Sequence, residues 1–167
     1  MIRDTTRVIA LVTDPTVVGF FKDTGAANDF NREGRTFTLR TPAQRQALRV
    51  ALRKERELWQ ARKPRNYKYL LRVDCFCPGV RGWLLMDVRS GQPLRAWDRT
   101  GRAVLLNDWN TLSIDGLFDS LEKTADINGE VRIAFDPRWH FPSYVNISAL
   151  PGPDMWSSIE ARALRLN

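Results

Sequence analysis

The chain has 167 residues, 43% of them hydrophobic, with six Trp, eight Phe and a formal net charge of +7. That much apolar surface offsets the ordering entropy of a compact fold, which excludes general disorder, and the length suits one domain with a real core. No window reaches the run of about twenty apolar residues that a membrane-spanning helix needs.

The charge is unevenly spread. Between Arg40 and Arg72, eleven Lys or Arg stand against Glu55 and Glu57, so this segment carries +9 and the remainder −2. The basicity reads as a local face rather than a general coating.

Residues 5–13 are rich in β-branched residues and predict a strand. A loop with Gly19, Gly25 and Gly34 follows, then a second short strand at 36–39, and residues 1–40 read together as an N-terminal extension. The apolar stretches Val8-Ile9-Ala10-Leu11-Val12 and Val17-Val18-Gly19-Phe20-Phe21 are split by Asp14-Pro15, and no small-residue cleavage site follows. They make a poor signal peptide, which favours the cytoplasmic side.

A core domain is expected over residues 41–147. Thr41-Pro42-Ala43-Gln44 supplies a helix start in which threonine caps, proline takes the first turn and glutamine reaches back. Ala47, Leu48, Ala51, Leu52, Leu58 and Trp59 recur at helical spacing up to Pro64, under an arginine-rich outer face. Alternation at 67–73 predicts a strand, with further strands at 83–88, 94–98 and 103–106 joined by Ser90-Gly91 and Thr100-Gly101 turns. Ile114, Leu117, Phe118 and Leu121 predict a helix over 113–125, with Asp115 at the positive end of its dipole. Strands at 131–135 and 144–147 follow, and in the tail 148–167 the stretch from Asp154, with Met155, Trp156, Ile159 and Leu164, is expected to form a short helix. The order argues for an α+β fold: an antiparallel meander with helices packed on one face, plus N- and C-terminal extensions.

Few residues carry chemistry. In a regular strand Cys75 and Cys77 point to one face but sit too far apart for relaxed disulfide geometry, so a bond between them needs the bend that Pro78-Gly79 offers; the alternative is two buried structural thiols. A closed zinc site lacks donors, since only His140 joins them besides carboxylates. His140 follows Asp136-Pro137, a spacing that more often marks a turn than a catalytic pair. No catalytic residue, metal or cofactor is assigned, and an enzyme is disfavoured. Arg45, Arg49, Arg53, Arg56 and Arg62 form the candidate partner-binding face, suited to acidic protein patches, anionic lipid heads or phosphates. Trp109, Trp139 and Trp156 are candidate interface aromatics.

The tryptophan-ended helix, Tyr67-Lys68-Tyr69, Cys75-Phe76-Cys77, Asp87-Val88, Ile114-Asp115-Gly116-Leu117-Phe118 and Phe135-Asp136 with Phe141-Pro142 together resemble an uncharacterised bacterial domain-of-unknown-function family. Its members are usually small exported or lipoprotein-type domains, which implies the periplasmic side of a membrane. The family pattern usually has glycine where His140 stands, and it brings no catalytic residues. The chain is also similar to small extrinsic proteins that brace a photosynthetic reaction centre inside its light-harvesting ring. The expectation is a non-enzymatic, membrane-extrinsic scaffold subunit whose partners are subunits of a membrane complex. The alternatives are a free-standing envelope domain that binds a small ligand or peptide near Cys75, Cys77 and His140, and nucleic-acid binding through the basic helix.

Overall fold

The computed structural model describes residues 13–23, 34–75, 82–149 and 156–166. An eight-stranded sheet is built from β1 (Arg35–Leu39), β2 (Asn66–Cys75), β3 (Trp83–Arg89), β4 (Gln92–Asp98), β5 (Ala103–Val104), β6 (Gly129–Phe135), β7 (Pro142–Ala149) and β8 (Trp156–Leu166). The spatial order is β1-β6-β7-β8-β2-β3-β4-β5 and the pairings are antiparallel. Two meanders, β2 to β5 and β6 to β8, are thus joined edge to edge where β8 pairs with β2.

Helices α2 (Pro42–Arg62) and α3 (Ile114–Thr124) cover one face. Helix α2 starts as its sequence predicts: the Gln44 amide donates to the Thr41 hydroxyl at 3.2 Å, and the Gln44 side chain accepts from the Thr41 amide at 3.1 Å. Leu48, Leu52 and Trp59 point inward, against Tyr67, Tyr69 and Leu71 of β2, Leu84, Met86 and Val88 of β3, and Val131, Ile133 and Val145 of β6 and β7. The period-two alternation of those strands is what supplies this apolar face.

Two expectations are corrected. The tail does not form a helix; β8 lies between β2 and β7 in the middle of the sheet. Its apolar residues Ile159 and Ala161 alternate with Glu160 and Arg162, a period of two that suits a half-buried strand. The loop expected around Gly19 is instead α1 (Pro15–Asp23), where Val17, Phe20 and Phe21 share a face at helical spacing. They pack with Leu70, Trp83, Leu85 and Trp97 into a second, smaller core on the sheet's other face, so the two long helices keep to one face and a short one covers part of the opposite side. Gly101 anchors α1: it has φ +85, its carbonyl accepts from the Asp14 amide at 2.9 Å, and a Cβ there would lie 2.7 Å from the Asp14 oxygen. The strand expected at 5–13 lies outside the described residues except for Thr13.

The Tyr67-Lys68-Tyr69 motif acquires a physical meaning here. Both phenols cross the core to the segment that launches α3. The Ile114 amide donates to the Tyr67 hydroxyl at 2.9 Å, and the Tyr69 hydroxyl donates to the Leu112 carbonyl. Burial pushes both phenols well above their ordinary range, for Tyr67 with a lesser opposing effect from the Ile114 amide. Raised folded-state values mean that this stability is fully present below about pH 10, where the unfolded phenols ionise, and is lost as pH rises further. Tyr67→Phe leaves a buried N–H without its acceptor and is expected to lower unfolding free energy by about 1–2 kcal/mol in urea titrations at neutral pH, while flattening the alkaline loss of stability. An unchanged alkaline limb would show that the phenols do not govern it.

Candidate functional site

The arginines of α2 face an acidic stripe on the neighbouring element. Asp115, Asp119, Glu122 and Asp126 recur at helical spacing along α3 and its exit, and α3 lies antiparallel to α2. Arg49 meets Asp126 at 2.6 Å, and Arg56 meets Asp119 at 2.7 Å and Glu122 at 2.9 Å. Arg45 donates to the carbonyls of Ala125 (3.0 Å) and Ile127 and to the Asn128 side chain at 2.5 Å, which ties down the turn after α3. Arg62 donates to the Arg138 carbonyl at 3.3 Å. Burial pulls the Arg56 guanidinium down, but its hydrogen bonds and attraction to Asp119 and Glu122 outweigh this and hold it above its ordinary value.

Of the five arginines read as a partner-binding face, Arg53 is the one without an ion-pair or hydrogen-bond partner among the described residues. It is exposed beside Arg49, Glu57, Gln60 and Glu122 in a groove of about 540 Å³ between α2 and α3. Complementary stripes in one chain were readable at helical spacing, yet a count of charge by segment hides them.

The seam closes at the other end on one carboxylate. Asp115, at the start of α3, accepts from Gln60 Nε2 at 2.6 Å and Trp59 Nε1 at 3.3 Å, and meets Lys63 Nζ at 3.2 Å. Trp59 packs edge-on against Tyr67 and Phe141.

His140 and Cys75 are not brought together. Cys75 is disulfide-bonded and lies beside Ser157, which pairs with Ile147, whereas His140 precedes Pro142 at the other end of β7. Five steps along the strand separate those levels by roughly 17 Å. Cys77 lies outside the described residues. The partner of His140 is Glu55, with Nδ1 and Oε2 2.9 Å apart, while the Asp136 carboxylate accepts from the amides of Arg138 and Trp139 and shapes a turn. His140 has φ +65, a conformation that glycine adopts without strain. Trp109 and Trp139 are half-buried against the main core, and the Arg138 guanidinium lies 5.2 Å from the Trp139 ring; the Trp156 side chain lies outside the described residues. Among the described residues no cluster of three or more metal-ligating side chains is present and no helix is long and apolar enough to cross a membrane.

The model of the family of unknown function DUF6174 matches residues 51–151. The chain belongs to this family. The matched region holds Trp59, Tyr67, Tyr69 and Asp115, the residues that join α2, β2 and α3, whereas β1, the first turns of α2 and β8 lie outside it. No curated protein and no solved structure matches the chain.

The contact pattern separates two arginines one turn apart. Arg56→Glu places a third carboxylate against Asp119 and Glu122 and is expected to lower stability by about 1–2 kcal/mol, an effect that weakens as salt is added. Arg53→Glu should stay within about 0.5 kcal/mol of the parent. Thermal melts of both variants at low and high salt check this, and equal losses would contradict the seam.

Proposed function

We propose that the chain is a non-enzymatic docking module, an extrinsic subunit that seats on a larger protein assembly. The observation that carries this reading is a group of exposed leucines at the β4–β5 corner: Leu94 is 52% exposed, Leu105 90% and Leu106 45%. Ala96 pairs with Val104 and Trp97 with Ala103, and Leu105 and Leu106 follow β5 directly along the chain. Strand β5 is two residues long and ends the sheet. Exposed leucines scattered singly need no explanation, but three beside a sheet edge that no described strand covers suit a partner's apolar ridge.

In its finer form the reading puts the assembly at a membrane, where the exposed cations of α2 left without an acidic partner among the described residues, Arg53 and Lys54, would meet acidic protein surfaces or anionic lipid heads. A second reading keeps the docking surface on α2, and the observation favouring it is the exposed, unpartnered Arg53 in the interhelical groove. Reversing Arg49 or Arg56 does not test that surface, since each holds α3 in place.

Affinity-tagged chains expressed in the source cells, gently solubilised and fractionated by size, separate these readings. The parent is expected to run with a large assembly. Leu105→Asp should run alone while its melting temperature stays within about 2 °C of the parent. Release by Arg53→Glu instead would move the surface to α2, and a parent that migrates alone would overturn the docking reading.

A further inference from the structure

Helix α2 has a second flank, turned towards the sheet edge. The cleft between α2 and strands β1 and β6 has a volume of about 520 Å³, within the range of sites that hold small ligands or peptide side chains. Phe37, Ile133 and Phe135 supply its sheet side and Val50, 53% exposed, its helix side. Arg35 and Lys54 also line it. The Arg35 guanidinium rests 4.5 Å from the Phe37 ring centroid, and among the described residues neither cation has an ion-pair partner. Glu55, on the same wall, is engaged by His140.

Strand β1 ends the sheet on this side: it pairs with β6 along one edge, and no described strand lies along the other. An edge strand offers backbone donors and acceptors to an extended chain, and a guest strand would set every second side chain on the helix-covered face of the sheet.

We propose that the β1 edge and the α2 flank together receive an extended peptide, which adds as a ninth strand, sets apolar side chains into the cleft against Phe37, Val50 and Phe135, and places a carboxylate on Arg35 and Lys54. A backbone edge unpaired among the described residues, an apolar floor and two cations without a described ion-pair partner point to the same occupant. A fatty acid would use the floor and the cations but not the edge, and a second copy of the chain would use the edge alone. This surface lies on the opposite side of the sheet order from the leucine corner, so it stands or falls independently of the docking reading.

The test is titration of the full ¹⁵N-labelled chain with a synthetic acetylated hexapeptide of alternating valine and threonine ending in a free carboxylate, followed by amide shifts. Saturable shifts are expected over residues 35–39 and 46–54. Amidating the peptide, Lys54→Glu and Val50→Asp should each weaken binding by about tenfold or more, and N-methylation of alternate peptide amides along the pairing edge should abolish it. Leu105→Asp should bind like the parent. The proposal is overturned if no saturable binding occurs, if the N-methylated peptide binds equally, if decanoate displaces the peptide while itself ignoring the edge, or if the chain self-associates through residues 35–39 and excludes the peptide.

Discussion

The Asp115 carboxylate sits where three parts of the chain must agree. It stands at the positive end of the α3 dipole, and it draws in the last turn of α2 through Trp59 and Gln60 and the residue that follows it through Lys63. One residue earlier, the Ile114 amide is held by the Tyr67 hydroxyl, so the start of α3 is pinned from the helix side and the sheet side together. Because Trp59, Tyr67 and Tyr69 are fully buried, each of their polar atoms needs a partner inside the protein, and the α3 start provides all three. The angle at which α3 lies on the sheet follows from these bonds more than from its apolar stripe, since Leu117, Phe118 and Leu121 would tolerate a small rotation and the buried polar groups would not.

From that fixed point the interhelical seam runs outward as a series of charge pairs. Most are half-exposed, so each contributes little alone, and their collective effect is to set register rather than to hold the helices on the sheet. Apolar burial of Leu48, Leu52 and Trp59 does the holding. This division explains why a strongly basic helix need not mean a strongly basic surface. Four of the five arginines read from the sequence as a partner face are committed to α3, its exit turn or the Arg138 carbonyl, and the surface potential left to a partner is much smaller than the +9 of residues 40–72 suggests.

Where the sequence is legible, the reason is local. Thr41 to Gln44 contains its own capping bonds, Ser113 and the Ile114-Leu117-Phe118-Leu121 stripe define α3, and alternation in β2 puts Tyr67, Tyr69, Leu71 and Val73 in the main core, with Leu70 buried on the other face. The misses are tertiary. Val17, Phe20 and Phe21 form a helix face only because Leu70, Trp83, Leu85 and Trp97 wait on the far side of the sheet, and Gly19 in their midst reads as a loop until that partner is known. In the tail, the stretch with Trp156, Ile159 and Leu164 reads as a short helix, while residues 156–166 in fact fill a strand-wide gap between β2 and β7. The partner of His140 could not be named from its neighbours either, because Glu55 arrives from a helix 85 positions away.

Joining the two meanders through β8 and β2 also decides which parts of the molecule stay available. The strand that could have been an edge is buried in the middle, and the sheet's two ends fall to its shortest members, β1 with five residues and β5 with two. Short edges limit unwanted pairing, since each offers few backbone groups to a passing chain. The two differ in what flanks them. Beside β5 the flanking leucines stand out from the surface, so the proposed docking there would draw on apolar area. Beside β1 the apolar residues are recessed under α2 and cations stand over them, so only something thin enough to enter the cleft reaches them, and an extended strand with a negative charge has that shape. The fixed α2–α3 seam makes this asymmetry durable: α2 cannot swing away from β1 to flatten the cleft without breaking the bonds at Asp115.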